Sequence, residues 1–223
     1  EQRPQLWFTY HLYYKAPDWL GPAVADALGI AYVVAEASHA DKRAAGAWAC
    51  GHAAAASAIG RADAIINLNP ADMAGVMRAA RVTAASIMLK PFLDGVDFAA
   101  AAARREQCRA ELARRYSMDP GLPWLLAVAM MRDGDKLASY QVLGTALGLL
   151  LDQPWQLLVV GDGAARPAVE EALRPIGPRR VRYAGARSLE ELPDIYAAGD
   201  LLVWPAINEA FGMTLLEAQA AGT

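Results

Sequence analysis

Three features of the sequence predict an α/β protein of two domains built on parallel sheets. Short apolar runs of strand length recur along the 223 residues and alternate with longer stretches rich in Ala, Leu and Glu, which favour helix. The alternation begins afresh after residues 117–123, SMDPGLP, whose two prolines and glycine mark a linker. The content of 55% hydrophobic and 20% charged residues is that of a soluble globular protein. A strand–helix–strand unit in one sheet is a parallel crossover, so the domains are expected over residues 1–97 and 121–223, with a helical linker at 98–120.

The first domain is justified element by element. Residues 6–14, LWFTYHLYY, read as a strand and its following loop from their aromatics and threonine. A helix over 18–28 ends at Gly29, and a buried strand follows at 30–35. Glu36, Ala37, Ser38 and His39 then lie at the carboxyl end of that strand, where open α/β sheets place ligands. The Ala-rich stretch 44–61 predicts a helix and gives His52 a structural role. His11 and His39 each follow a strand, where an imidazole can donate to a hydroxyl or steady charge on a departing group. Strands at 63–68 and 86–89 flank a helix at 71–80, and Asp94-Gly95 is a turn pair. Residues 99–116 read as one helix whose interleaved arginines and glutamates mark a solvated face.

The second domain starts with a strand at 124–130, a polar loop from Arg132 to Lys136, and a helix over 137–151. A strand at 156–160 ends in Gly161-Asp162-Gly163 before a helix at 164–173. Arg166 stands where a dinucleotide fold needs its third glycine, so nicotinamide binding fails on spacing. A strand at 180–183, a helix at 189–198 and an apolar strand at 201–204 follow, the last stopped by Pro205. Asn208, Glu209, Ala210, Phe211 and Gly212 lead into a helix over 213–220.

Gly212 thus falls where a loop enters a helix. Unpaired amides and the positive end of the dipole make that place an anion site, and glycine lets a phosphate approach the backbone. Glu209 and Glu217 bracket it, Glu217 lying about 6 Å along the axis from Met213 at ~1.5 Å per residue. Carboxylates accept paired hydrogen bonds, which suits sugar and ribose diols. Arg132 and Lys136 add two cations able to stabilise a departing diphosphate.

Composition removes other classes. A net charge of -3 and a pI near 5.6 offer no basic face for nucleic acid. Cys50 and Cys108 are far apart and lack metal spacing, which favours reduced packing residues and a cytoplasmic setting. The longest apolar candidates, 122–131 and 143–151, fall short of a spanning helix, and no leader pattern opens the chain. The chain begins almost directly on a strand and stops at Ala-Gly-Thr, so both domains are expected to be incomplete.

The run NEAFGMTLLEAQAAGT resembles the nucleotide-sugar signature of retaining glycosyltransferases with the GT-B fold, in the family usually numbered four. KPFLDGVDFAA resembles that family's turn closing the first domain, and Arg132 and Lys136 match the spacing of its donor-side arginine and lysine. The resemblance implies two Rossmann-like domains: an acceptor side and a donor side facing each other across a cleft. It implies that Glu209 contacts the transferred sugar, that Glu217 holds the ribose, and that Arg132 and Lys136 meet the diphosphate. The amides of Phe211, Gly212 and Met213 would assist, with Gly161 and Gly163 shaping the nucleotide end. His39 matches the place of an acceptor-domain histidine facing the sugar, although Ala40 stands where that motif has aspartate; His11 is the second acceptor-side candidate.

The implied reaction moves a sugar from a nucleoside-diphosphate sugar to a sugar, lipid-linked or other hydroxyl acceptor, with retention and with no metal or other cofactor. Peripheral association with the inner face of a membrane is compatible with it. Asp133-Gly134-Asp135 has the D-x-D spacing of metal-dependent glycosyltransferases of another fold, but here reads as turn chemistry between strand and helix. Two alternatives stay open: a sugar-nucleotide epimerase of the same fold, drawing on Asp18, Glu36 or Asp41, and an inactive nucleotide-sugar-binding or scaffold module.

Overall fold

A computed structural model describes residues 3–209 and 211–223, and its contacts divide the chain into two units, Glu1–Pro91 and Phe92–Thr223. Ala210, within the expected signature loop, lies outside the described residues.

In the first unit, strands β1 (Leu6–Tyr10), β2 (Ala31–Ala35), β3 (Ala64–Asn67) and β4 (Ala85–Met88) pair in that order, all parallel. Helices α1 (Gly21–Leu28), α2 (Ala49–Arg61) and α3 (Pro70–Ala79) connect them. Each crossover steps one strand in the same direction, and right-handed connections then put all three helices on one face. That face holds the core: Tyr32, Val34 and Ile65 against Ala25, Ile59 and Val76. The register aligns Phe8 with Val33 and Ile66 with Ile87 on the other face, where Phe8 is 52% and Ile87 55% exposed.

Local polar chemistry moves two helix starts. α1 begins at Gly21 rather than residue 18, because the Asp18 carboxylate accepts from the amides of Leu20 (3.1 Å) and Gly21 (2.7 Å). It also accepts from Trp7 Nε1 and the Tyr32 hydroxyl, each at 3.0 Å, so Asp18 is a structural hub. α2 begins at Ala49 rather than 44, after two short 3-10 turns and Gly46 at φ 81°.

The second unit opens with α4 (Val96–Ala103) and α5 (Arg105–Tyr116), which replace the single helix expected at 99–116; the break is at Arg104. The expected solvated arginine face is corrected too. Arg109 is buried, donating to the carbonyls of Pro120 (3.0 Å), Leu122 (2.5 Å) and Ala198 (2.7 Å) and to Asp200 (3.0 Å), with its guanidinium 4.6 Å from the Trp124 ring centroid. Arg104 and Arg105 pair with Asp194 and Asp200. Residues 98–120, expected as a connector, therefore pack within the second unit, because these cations satisfy carbonyls and carboxylates of α8 and of the loops that lead into β5 and β8.

Strands β5 (Trp124–Val128), β6 (Gln156–Val160), β7 (Val181–Gly185) and β8 (Leu201–Leu202) form a parallel sheet in the order β7-β6-β5-β8. α6 (Asp135–Gly148) and α7 (Arg166–Leu173) carry the chain outward to β7, and α8 (Leu192–Ala198) returns it across the sheet to β8, before α9 (Met213–Ala220). The helices accordingly make two layers. Tyr140, Leu143 and Val169 pack on Leu157 and Val159, while Leu112, Ile195, Tyr196 and Ala218 pack on Leu126 and Leu158. The winding direction reverses between β5 and β8.

Candidate functional site

An open α/β sheet offers a ligand crevice outside the carboxyl ends of its strands, where the winding reverses. In the second unit that place is the edge of β5 and β8, and the loop after each strand delivers a helix start there. Gly134 caps α6 at φ 80° and Gly212 caps α9 at φ 67°, and neither helix has a side-chain cap. The amides of Asp135, Lys136, Met213 and Thr214 make no hydrogen bond among the described residues. Two unpaired, positively polarised helix starts at one sheet edge form an anion cradle.

Lys136, in the first turn of α6, makes an ion pair with Glu209, 73 residues further along the chain. Both side chains are largely buried, at 17% and 23% exposure. The Lys136 ammonium lies 5.4 Å from the Trp204 ring centroid, and Trp204 Nε1 points at the same Glu209 oxygen at 3.5 Å. Trp204 in turn meets the buried Tyr140 ring edge-on at 4.9 Å, and the Tyr140 hydroxyl donates to the Ala129 carbonyl at 2.9 Å. Burial pushes the Glu209 carboxyl up, but the hydrogen bond and charge of Lys136, aided by Trp204 and the Gly212 amide, leave it below the usual carboxylate range. It is ionised at neutral pH.

The loop bearing Glu209 is stitched to α6: Asn208 Nδ2 donates to Asp135 Oδ1 (3.0 Å), and the Ile207 amide donates to Ser139 Oγ (3.1 Å). Ala206 and Asn208 adopt positive φ, 55° and 49°, a strained backbone for residues other than glycine. Arg132 is exposed, and its side chain has no hydrogen-bond or ion-pair partner among the described residues. Phe211, Gly212 and Met213 are half-buried.

Glu217 stands apart from this pair. Tyr196, fully buried in the helix layer on the other side of the sheet, donates its hydroxyl to Glu217 Oε2 at 2.8 Å. Burial first, then that bond, raises the tyrosine's pKa. The second carboxylate oxygen has no partner among the described residues. Gly161 and Gly163, at φ 134° and 149°, are packing glycines: a Cβ would come within 1.9 Å of the Ala129 carbonyl oxygen or 2.2 Å of that of Met131. They let the loop after β6 lie against the loop after β5, where the Met131 amide donates to the Asp162 carbonyl at 2.9 Å.

In the first unit, His39 stacks on His52 at 4.3 Å between ring centroids. Both nitrogens of His39 and Nε2 of His52 are buried without a partner among the described residues. Burial, then His52, holds the His39 pKa below the ordinary histidine value. His11 is exposed at the end of β1, its Nδ1 3.2 Å from Glu36 Oε2, with both residues at positive φ.

Among the described residues no group of three or more His, Cys, Asp or Glu is gathered around a common point; Asp133 is exposed, and Asp135 accepts from Asn208. Sequence reasoning missed Trp204, Tyr196 and the pairing of His39 with His52. The tryptophan directly before Pro205 at a strand end was the one local signal.

Residues 123–223 match the family model described as glycosyl transferases group 1. Over 89 residues the chain is 39% identical to the D-inositol 3-phosphate glycosyltransferase of Corynebacterium urealyticum, covering 37% of this chain and 21% of that protein. It is 34% identical over 113 residues to the alpha-D-kanosaminyltransferase of Streptomyces kanamyceticus, covering 50% and 29%. The chain thus spans less than a third of these curated relatives. Among solved structures, the sucrose-phosphate synthase of Thermosynechococcus elongatus is similar with a TM-score of 0.71 at 22% identity, covering 98% of this chain and 54% of that one. Anabaena HepE in complex with UDP is similar with a TM-score of 0.69 at 15% identity, covering 97% and 58%. These likenesses show the fold, two parallel-sheet α/β units of the GT-B class. Over residues 123–223 the chain is similar in sequence to the group 1 glycosyltransferases, and over nearly its whole length it shares the fold of these two solved structures.

Proposed function

We propose that the protein transfers a sugar from a nucleoside-diphosphate donor, bound at the carboxyl edge of β5 and β8, to a hydroxyl acceptor. The observation that carries this reading is the Lys136–Glu209 ion pair set between two helix starts that have no side-chain cap, at the winding reversal. A diphosphate competes for Lys136 and the free amides, while a sugar brings hydroxyl donors to the carboxylate that Lys136 releases. Arg132, whose side chain has no partner among the described residues, adds its charge against the leaving diphosphate. Glu217, steadied by Tyr196, accepts from the ribose with its free oxygen.

The bond from the sugar's C1 to the diphosphate oxygen breaks with its electron pair going to phosphate. The acceptor oxygen bonds C1 and passes its proton to the departing diphosphate oxygen. Charge building on the diphosphate is met by Lys136, Arg132 and the amides of Gly212 and Met213, a donor set that does the neutralising work of a metal ion. Family likeness supports retention at C1. UDP is the first nucleotide to try, since the similar HepE structure holds it. The acceptor is a sugar, lipid-linked or other alcohol, reached from the cytoplasm or the inner surface of a membrane; no helix among the described residues is long and apolar enough to cross one.

Thermal unfolding with UDP, GDP and ADP tests the donor site: one base should raise the midpoint in proportion to RT ln(1 + [L]/Kd). No shift with any of the three would remove the reading. Transfer is then sought with the matching sugar nucleotides in the presence of a chelator.

A further inference from the structure

A ligand that takes Lys136 from Glu209 separates two largely buried charges, and breaking such a pair is costly unless each ion has another partner. One side chain touches both. The Lys136 ammonium lies 5.4 Å from the Trp204 ring centroid, inside the range of about 6 Å over which an aromatic face attracts a cation. Trp204 Nε1 donates at 3.5 Å to Glu209 Oε2, the same oxygen that Lys136 meets. Indole is neutral, with a cation-attracting face and a donor-only edge, so it supports either ion without adding a charge that would replace one of them.

Trp204 is held where it can do this. Pro205 follows it, which keeps the Trp204 backbone out of the helical region at the end of β8. Its ring meets Tyr140 edge-on at 4.9 Å; Tyr140 is fully buried, and its hydroxyl donates to the Ala129 carbonyl at 2.9 Å. That carbonyl lies against Gly161, where a Cβ would come within 1.9 Å of the oxygen, so the loops after β5 and β6 close around the anchor. Glu209 is fixed separately. Its loop is tied to α6, with the Ile207 amide donating to Ser139 Oγ and Asn208 Nδ2 to Asp135 Oδ1. The indole and the carboxylate therefore have independent supports and meet only at the ion pair.

We propose that Trp204 is the positioning residue of this pair: when a ligand parts the ions, the ring face keeps the Lys136 ammonium in the crevice and the indole N–H holds the Glu209 carboxylate toward the sugar. That the ligand is a nucleoside-diphosphate sugar rests on the donor reading. The hold of Trp204 on Glu209 and Lys136 does not.

Two measurements on the full chain test the proposal, the first without ligand. The indole N–H resonance of Trp204, assigned among the six tryptophans by its absence from Trp204→Phe, should move upfield in Glu209→Gln, where a neutral acceptor replaces the carboxylate. It should move downfield in Lys136→Ala, where no cation competes for that oxygen. A resonance unmoved in either variant overturns the proposal. The second measurement titrates UDP and UDP-glucose, or the pair of whichever base stabilises the chain, into Trp204→Phe, Glu209→Gln and the double variant. Trp204→Phe keeps a ring for Lys136 but removes the N–H, so it should weaken the sugar nucleotide roughly three- to tenfold more than the nucleotide. In the Glu209→Gln background the same change should add no more than about twofold, because its effect passes through the carboxylate. Trp204→Leu removes the face as well and should weaken both ligands. A tryptophan that only fills space would weaken both ligands alike in Trp204→Phe, and equally in the Glu209→Gln background; that result also overturns the proposal. If wild type binds neither ligand, the donor reading falls, and the indole resonance still decides whether Trp204 holds the pair.

Discussion

The two sheets are made of the same alternation of strand and helix, yet among the described residues only the second reverses its winding. In the first unit the chain steps from β1 to β4 in one direction, and among the described residues one apolar sheet face has no helix layer. In the second, the return through α8 places helices on both faces and brings the starts of α6 and α9 to the crevice outside the carboxyl ends of β5 and β8. The difference teaches that two helix starts meet at one sheet edge through connection order more than through strand composition. Among the described residues, the helix-start amides without side-chain caps gather where the chain turns back, at β5 and β8.

The largest effect should come from the loops that shape that crevice. Gly161→Ala would drive a Cβ into the Ala129 carbonyl at a φ of 134°, and overpacking with backbone strain costs about 3 kcal/mol or more. Thermal unfolding should fall by roughly 10 °C, at about 2–4 °C per kcal/mol for a chain of this size. Gly29→Ala in the first unit, where a Cβ meets nothing, should cost only the αL penalty of about 1–2 kcal/mol.

Acid should separate the units next. The depressed pKa of His39 means the unfolded chain takes up its proton first, so first-unit stability is lost as pH falls from about 6.5 toward the folded value. Glu209 is also depressed, but it is a carboxyl; its contribution is intact above about 4.3 and is lost only as pH falls through its lower folded value. Hydrogen exchange at pH 7 and pH 5 should show first-unit protection dropping while the second unit holds. His39→Phe should flatten the first-unit response, and equal loss in both units would contradict the assignment. The smallest effect should be that of Tyr196→Phe, which removes one hydrogen bond to Glu217 and should cost about 1 kcal/mol of stability with a few-fold loss of nucleotide affinity.

How much of this could be read from the chain divides along the same line. Elements with strong local patterns were legible: β6 at residues 156–160 and α9 at 213–220 lie where the apolar run and the glycine-entered helix put them. Boundaries set by side chains reaching across the fold were not. Asp18 delays α1, and Arg109 turns a mixed-charge helix into a packed one by meeting carbonyls up to 89 residues away. In the site, residue types were legible and partnerships were not. Nothing local says that Lys136 grips Glu209, that Tyr196 holds Glu217, or that His39 lies against His52, since each partner arrives through a connection whose direction only the folded sheet reveals.

The most direct test titrates UDP and a UDP-sugar, or the pair of whichever base stabilises the chain, into wild type, Lys136→Ala and Glu209→Gln. A charge-assisted contact contributes about 1.5–3 kcal/mol, so Lys136→Ala should weaken both ligands roughly ten- to hundred-fold. Glu209→Gln frees Lys136 and should bind the nucleotide at least as tightly as wild type while losing affinity for the sugar nucleotide. Unchanged nucleotide binding in Lys136→Ala, or equal loss of both ligands in Glu209→Gln, would contradict a donor site built on that pair.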